Sequence, residues 1–264
     1  MFAMGFICIL ATAEAQMTSE NKSLSRSEKK QARWANEQVF SKKTIGLTYQ
    51  NQQNSIVSPL LYSGIGVVLA SEKQRFLPKS VFGKNASLRF NLLQPKSGSS
   101  TFSGIVQLGA EYMKPVLTEG LYVGGNVQAN LNARLSTYLG NNFIQYEAFP
   151  SLGMSALYKK SFEIKGRKLG FEASAKMPLV GALAASPRYS YSGDKPFALN
   201  FVTLGKMFNP QTAFYINLPE SKRFSNKNTR IGYEWNLNRF NRGNDKHLTL
   251  ATHAIVFSTN LRVK

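Results

Sequence analysis

The feature that most constrains the fold is one long run of strict alternation between apolar and polar residues. In the stretch LYVGGNVQANLNARL, residues 121–135, Leu, Val and Ala recur at odd positions, while Tyr, Asn, Gln and Arg occupy even ones. Alternation with a period of two is typical of a β-strand, whose successive side chains point to opposite faces. An ordinary strand has about five or six residues. The stretch therefore predicts an unusually long strand with one apolar face and one face rich in amides.

Similar alternation recurs along most of the chain, as in LGFEASAKM (169–177) and RIGYEWNLNRF (230–240). Turn residues separate the alternating runs, and almost no helical periodicity follows residue 43. The predicted strands are 44–50, 61–71, 86–94, 101–116, 121–135, 151–164, 169–177, 197–208, 212–218, 230–240 and 247–261. The longest predicted connections are 138–150 and 178–196. The pattern indicates an all-β fold of about ten to twelve antiparallel strands.

The first 43 residues differ from the rest. Met4–Ala13 is apolar and is followed by Ala13-Glu14-Ala15, a small-x-small pattern, which predicts a cleaved signal peptide at 1–15. Cys8, the single cysteine, would leave with that peptide, so the mature chain would form no disulfide. Residues 16–43 form a basic segment, which is either a solvated or disordered leader or a helix that plugs the barrel or lies on lipid head groups. The folded domain is predicted at 44–264.

Composition restricts the partners of the chain. Its formal net charge is +19, with 43% hydrophobic and 18% charged residues. No zinc-finger spacing, aromatic-basic RNA-binding motif or basic helix with heptads is present, so we predict no nucleic-acid partner. The basic residues favour anionic lipid head groups as the counter-charge.

The make-up of the two strand faces indicates a membrane. A soluble sandwich carries mostly Lys, Glu and Thr on its outer face, whereas these polar faces carry Asn, Gln, Gly and Ser. A tilted strand crosses a bilayer in about nine to eleven residues. Only a closed barrel can expose a sheet to lipid, because each backbone group must be hydrogen-bonded within the structure. We predict a transmembrane antiparallel β-barrel; the alternative is a soluble lipocalin-like barrel or a pair of sandwiches.

Aromatic residues near the predicted strand ends suit the two membrane interfaces. They are Tyr62, Tyr112, Tyr122, Tyr138, Trp235 and Phe240.

The alternating strands and the ending YEWNLNRFNRGNDKHLTLATHAIVFSTNLRVK carry a family resemblance. The chain resembles the small outer-membrane β-barrel proteins of Gram-negative bacteria, in particular those of the Bacteroidetes type. The resemblance covers nearly the whole mature chain. It implies insertion into the cell outer membrane by the assembly machinery of that membrane, and it implies no activity.

The candidate site is a set of charges predicted to face the inside of the barrel. It consists of Arg89, Glu111, Arg134, Glu172, Lys176, Arg230 and Glu234. Opposite charges in a narrow lumen should pair, because an unpaired buried charge is costly. The set therefore indicates either a salt-bridged network that closes the lumen or the lining of a small-solute path.

Catalytic chemistry is poorly supported. The histidines are His247 and His253, and Ser258 lies five residues beyond the second, so in a regular strand their side chains point to opposite faces. The histidines are also too far apart along a strand, about 20 Å, to bind one metal ion. We predict no catalytic residue, metal or cofactor, and His253 is predicted to be a hydrogen-bonded lumenal residue.

Three function classes remain. The first is a structural or interaction component of the cell envelope, with membrane lipids and other outer-membrane or periplasmic proteins as partners. The second is a narrow, porin-like channel or transporter for small solutes. The third and weakest is a lipid-modifying enzyme.

Overall fold

The structure of the protein is a computed structural model. The structure describes residues 38–55, 58–96, 100–116, 119–136, 144–164, 167–185, 200–218, 227–241 and 247–262. The predicted signal peptide (1–15) and most of the predicted basic segment (16–43) lie outside the described residues. Within the described ranges, no helix has the length and apolar character needed to cross a membrane.

The described chain is built from strands. They are β1 (Gln38–Asn54), β2 (Ser58–Leu77), β3 (Ser80–Pro95), β4 (Thr101–Pro115), β5 (Leu121–Ser136), β6 (Ile144–Ile164), β7 (Arg167–Ala185), β8 (Asn200–Thr203), β9 (Met207–Phe208), β10 (Gln211–Asn217), β11 (Lys227–Asn241) and β12 (His247–Arg262). The opening stretch of the sequence lies in β5, as predicted. The prediction of an all-β fold is confirmed.

The described strands close into a barrel. From β1 to β7 each strand pairs antiparallel with the next, and β11, β12 and β1 also pair in order. β7 pairs with β8 along one part and with β10 along another, while β9 and β10 pair with β11. The short strands β8, β9 and β10 thus share one wall position, and the barrel has 10 strands in its wall. This agrees with the lower end of the predicted range.

The even number of wall positions brings both described chain ends to one rim. Phe40 near the start of β1 pairs with Arg262 at the end of β12, whereas Asn54 at the other end of β1 pairs with Leu248. We call the rim at Gln38 and Arg262 the terminal rim and the opposite one the distal rim. The turn between Leu77 and Ser80 lies at the terminal rim, and the connection 186–199 joins strands at the distal rim.

Most long strands extend beyond the bounds that the sequence pattern predicted, and β1, β6 and β7 do so most informatively. β1 begins at Gln38 rather than at Thr44, so part of the predicted basic segment belongs to the barrel. β6 begins at Ile144 and β7 extends to Ala185, so parts of the predicted connections 138–150 and 178–196 are strand. The pairing of β6 with β7 shifts register between Leu152 and Gly153, and this shift interrupts the alternation of side chains. Pairing with neighbouring strands, rather than local pattern, sets these ends.

The segment 197–218 was wrongly predicted as two strands joined by a reversing turn at 209–211. The Pro210 carbonyl accepts a hydrogen bond from the Leu237 N–H at 3.1 Å, and Asn209 Oδ1 accepts one from the Arg239 N–H at 3.1 Å. These bonds keep the segment alongside β11, so the chain continues in one direction from β9 into β10. The turn falls earlier, where the Lys206 N–H donates to the Thr203 carbonyl.

The two faces of the wall have opposite chemistry. Large apolar side chains point outward and are exposed, for example Leu47 at 73% and Ile65 at 74%. The alternate positions point into the lumen and are polar but buried, for example Gln50 at 0% and Asn91 at 1%. A soluble barrel buries its apolar face and exposes its polar face to water. This barrel has the opposite arrangement, with apolar side chains outside and polar side chains inside.

Candidate functional site in the barrel lumen

A cluster of five charges lies in the lumen toward the terminal rim; we call it the terminal charge cluster. Glu172 accepts from Lys42 at 2.8 Å, from Arg230 at 2.9 Å and from Lys159 at 3.2 Å. Glu72 lies 3.5 Å from both Lys42 and Arg230. The cluster joins β1, β2, β6, β7 and β11 across the lumen. Because strands that are not neighbours contribute to it, it fastens opposite walls together.

Burial makes this pairing energetically important. The side chains of Lys42, Glu172 and Arg230 are 1%, 6% and 2% exposed. Removing charges from water costs several kcal/mol per ion, and close partners must offset that cost. The three cations around Glu172 and the two around Glu72 supply such partners. We therefore expect the complete cluster to be stable, and the removal of any one charge to destabilise the barrel.

Arg230 also stacks on an aromatic ring. Its guanidinium carbon lies 3.7 Å from the centroid of the Tyr215 ring. Tyr215 in β10 pairs directly with Gly232 in β11, and a Cβ built on Gly232 would collide with that ring. The glycine therefore provides the space in which the tyrosine lies flat against the wall and beneath the arginine.

A second ion pair connects β3 and β11. Arg89 donates to Glu234 at 3.1 Å and to the Gln107 side chain at 3.2 Å. The Tyr215 hydroxyl donates to the other Glu234 oxygen at 2.6 Å. Through Tyr215, this pair is connected to the terminal charge cluster.

Two further ion pairs lie among the described residues of the lumen. Lys176 lies 2.8 Å from Glu111, which pairs across the sheet with Gly83; a side chain at that position would collide with the carboxylate. Arg134 pairs with Glu147 toward the distal rim, where both side chains are at most 2% exposed.

Amide side chains form a hydrogen-bonded layer across the middle of the lumen. Gln211 of β10 accepts from Gln107 of β4 at 2.7 Å and donates to Gln128 of β5 at 2.8 Å. On the other side, Asn91 donates to Gln50 at 2.8 Å, and Gln50 donates to Ser103 at 3.0 Å. Because β4 and β5 lie across the ring from β10, the first set of bonds bridges the lumen. The predicted amide-rich strand face contributes directly to this layer.

Apolar clusters lie inside the lumen near each rim. The distal cluster, at the ends of β7, β11 and β12, consists of Phe149, Leu183, Val202, Met207, Phe240 and Leu248. The terminal cluster consists of Val81, Met113 and Leu157, with Phe76 and Tyr122 packed against it. Both lie between the polar middle of the lumen and its openings, so they hinder the passage of water and ions.

A cavity of about 100 Å³ remains between these layers. It is lined by Glu72, Arg89, Gln107, Glu111, Glu172, Lys176, Gln211, Tyr215, Arg230 and Glu234, among others. The Nε atoms of Arg89 and Arg230 are buried and make no hydrogen bond within the protein. A polar cavity of this size has room for a few water molecules that would satisfy them.

All seven predicted charges face the lumen, and each takes part in an ion pair there. They do not form one continuous network, because the Arg134–Glu147 and Lys176–Glu111 pairs stand apart from the terminal charge cluster. Lys42, Glu72, Glu147 and Lys159 also belong to the site and were missed by the sequence reasoning. Lys42 and Glu72 continue the inward alternation of β1 and β2 just beyond the predicted strand ends, so longer predicted strands would have included them.

The predicted positions of several side chains relative to the barrel wall were wrong. Phe240 is 2% exposed inside the distal cluster, and Tyr122 packs on the terminal cluster, so neither marks a membrane interface. Tyr138 lies outside the described residues. His253 is hydrogen-bonded as predicted, to the Tyr233 hydroxyl at 2.6 Å, but on the outer face rather than in the lumen. For His253, a phase error over one residue is enough to exchange the faces. Tyr122 and Phe240 share the inward phase of their own strands, and only their position near the strand ends had suggested an interface.

Potential metal ligands do not cluster among the described residues. Groups of three or more His, Cys, Asp or Glu side chains that could hold a metal ion are absent from that part of the chain. Ser258 is buried on the inner face and bonds to Thr44 at 2.7 Å, so the wall separates it from His253.

With this geometry established, the chain was compared with known proteins. No protein-family model matches the sequence, and no related curated protein was found. Among solved structures it is similar to the Neisserial surface protein NspA, with 10% identity over 84% of this chain and 96% of that one, at a TM-score of 0.39. The translocator domain of the autotransporter NalP from Neisseria meningitidis gives 8% identity, 98% and 97% coverage and a TM-score of 0.41.

The outer membrane protease OmpT from Escherichia coli gives 7% identity, with 85% of this chain and 95% of that one covered, at a TM-score of 0.47. The barrel fold itself rests on the strand pairing described above. None of these likenesses assigns an activity to this chain.

Proposed function

We propose that this protein is an outer-membrane β-barrel with a closed lumen, acting as a structural or interaction component of the cell envelope. Its location is supported by the inverted faces of the wall. Outward side chains such as Leu47, Ile65 and Ile255 would be costly to expose to water, whereas hydrocarbon tails accommodate them. β10 pairs with both β7 and β11 and so closes the ring, and a closed ring is the requirement for a sheet in lipid.

The orientation follows from the connections. Bacterial barrels have short periplasmic turns and longer external loops. The connections at the terminal rim are 78–79, 116–120, 165–166 and 218–226, and those at the distal rim are 55–57, 96–100, 137–143, 186–199 and 242–246, so both two-residue turns are terminal and the longest connection is distal. The terminal rim, with both described chain ends, is accordingly assigned to the periplasm.

The observation that carries the functional proposal is the terminal charge cluster. A conducting pore needs binding groups weak enough to release a solute, whereas Glu172 is held by three cations at 3.2 Å or less. The amide layer and the two apolar clusters obstruct the lumen at three further depths. A barrel obstructed in this way acts through its outer surface, rims and connections, as a subunit or scaffold does.

Conductance tests the closed lumen. The purified full-length protein is reconstituted into planar bilayers, and folding in the same preparation is checked by circular dichroism and by heat-modifiable migration on gels. We expect no steady current from folded, inserted protein. Reproducible unitary current steps would overturn the closed lumen.

The second candidate is the narrow channel or transporter, which the charged cavity favours. Charges of both signs line it, as they would line a site for a small polar solute. That function requires both apolar clusters to move, so it predicts current steps in the conductance test.

The proposal includes no enzymatic activity, and the separation of His253 from Ser258 supports this. Comparing envelope lipid profiles of strains with the wild-type chain and with His253→Ala tests the point. An altered lipid A or phospholipid profile in the variant would support the enzyme hypothesis.

Protein partners in the envelope are tested by purification from native membranes after cross-linking.

A further inference from the structure

Five lysines lie on the outward face of the wall near the terminal rim, and we call them the lysine collar. They are Lys43 on β1, Lys73 on β2, Lys84 on β3, Lys114 on β4 and Lys160 on β6. All five are exposed. On β1 the next outward residues toward the distal rim are Ile45 and Leu47, so Lys43 adjoins the apolar face, whereas on β6 the exposed Phe162 and Ile164 extend that face past Lys160.

Within the collar, like charges lie next to each other. Lys73 and Lys84 are direct partners in the β2–β3 register. Like charges at opposed positions destabilise a sheet unless a counter-charge is present. Lys43 donates to the Ser71 hydroxyl at 2.8 Å, and Lys84 lies 5.5 Å from the Phe82 ring centroid. The ion pairs of the described residues include none at Lys43, Lys73 or Lys84.

Most carboxylates of the described residues are not available to the collar. Five of them lie in the lumen, where cations already hold them: Glu72, Glu111, Glu147, Glu172 and Glu234. Two others, Glu119 in the turn before β5 and Glu163 near the end of β6, are exposed near the terminal rim. The five lysines of the collar thus outnumber the exposed carboxylates that the structure describes at this rim.

The opposite border of the same outward faces carries less charge. Toward the distal rim the outward residues are Asn51 on β1 and Ser63 on β2, and on β3 Gln94 is followed by the exposed Lys96. Solubility alone would favour an even distribution of charge between the two borders. The uneven distribution indicates that the two borders meet different surroundings.

We propose that the lysine collar binds the phosphates of anionic glycerophospholipid head groups in the leaflet at the terminal rim. This inference rests on the proposed location of the barrel in a bilayer. The collar is continuous with the lipid-facing surface, so the head group of a lipid whose tails lie on Ile45 and Leu47 is placed at the height of Lys43. Each lysine near an anionic surface adds about fivefold in association. Screening by salt weakens this attraction, because the side chains are exposed.

The test measures lipid selectivity at the barrel surface. The full-length protein is reconstituted in phosphatidylcholine vesicles that contain spin-labelled phosphatidylglycerol or spin-labelled phosphatidylcholine, and the motionally restricted fraction is compared. We expect the wild type to prefer phosphatidylglycerol by about fivefold, and K73Q/K84Q to lose at least about half of that preference. The matched control K96Q/K206Q removes the same charge near the distal rim and should keep it. Raising the salt concentration should reduce the preference of the wild type and the control.

Two further results separate the possible failures. If the wild type does not fold into phosphatidylcholine vesicles at all, the proposed membrane location fails. If it folds but shows no preference, or if K73Q/K84Q keeps the full preference, the collar proposal fails while the barrel proposal stands. A third arm uses lipid A instead of phosphatidylglycerol. A collar-dependent preference for lipid A alone would overturn the phospholipid assignment.

Discussion

Lys42 and Glu172 are 130 residues apart in the sequence, yet their side chains meet at 2.8 Å inside the barrel. Their strands, β1 and β7, are not neighbours in the wall, so the contact crosses the lumen. The bond links the start of the barrel to a strand far along the chain. Tertiary closure of the ring, rather than local structure, is what brings the two charges together.

Removing the Glu172 charge should destabilise the barrel strongly. In Glu172→Gln, Lys42, Lys159 and Arg230 lose their shared carboxylate and remain buried or partly buried. Breaking a buried pair in this way costs about 3–5 kcal/mol. Urea unfolding in phospholipid vesicles, followed by circular dichroism, measures the loss.

The control is Glu163→Gln, which removes an exposed carboxylate at the terminal rim and should change stability by about 0.5 kcal/mol or less. Equal stability of both variants would contradict the role assigned to the cluster.

Charge on the outward face should be penalised according to depth. Leu47 is 73% exposed on the outer face of β1, and Leu47→Arg would place a guanidinium among lipid tails. We expect a loss of about 2–4 kcal/mol if the position lies near the bilayer midplane. Asn51→Arg, on the same face nearer the distal rim, should cost about 0–1 kcal/mol. Unfolding of both variants in bilayers gives the comparison, and a Leu47→Arg variant as stable as wild type would mean that this face does not contact lipid.

The fold was predictable because inverted alternation is a property of each strand by itself. In β5 every second residue from Asn126 to Arg134 points into the lumen and is at most 8% exposed, as the pattern predicts. The charged residues were predicted to face the lumen because they occupy the polar positions of this alternation. Where the alternation was clear, the structure places the side chains on the faces that the pattern predicted.

The parts of the fold and of the site that the sequence did not predict depend on interactions between strands. Glu147 was assigned to a connection because the residues around Pro150 do not alternate clearly, and its strand is defined by pairing with β5. The shared wall position of β8, β9 and β10 could not be predicted, since hydrogen bonds from Leu237 and Arg239 of β11 determine the path of residues 209–210. Such partners are not visible in the local pattern.

A side chain at position 232 should disrupt the packing of Tyr215. A Cβ on Gly232 would overlap the Tyr215 ring and approach the Phe214 carbonyl oxygen at 2.7 Å. Gly232→Val should therefore displace the tyrosine from Arg230 and Glu234 and cost about 1–3 kcal/mol. The control is Gly205→Ala, where no atom lies within 4 Å of the added Cβ. Unfolding midpoints in the same vesicles report both changes, and a neutral Gly232→Val would mean that the tyrosine has another position available.

The Arg89–Glu234 pair should show direct energetic coupling across the lumen. The two groups are 145 residues apart and meet at 3.1 Å, with side chains only 6% and 13% exposed. A double-mutant cycle with Arg89→Met and Glu234→Gln isolates their interaction from their separate contacts with Gln107 and Tyr215. We expect a coupling free energy of about 0.5–3 kcal/mol, the range for residues in one polar network. As a comparison, a cycle between Arg89→Met and Glu163→Gln should give coupling near zero. If the Arg89–Glu234 cycle gives the same, the pair does not help to hold the lumen closed.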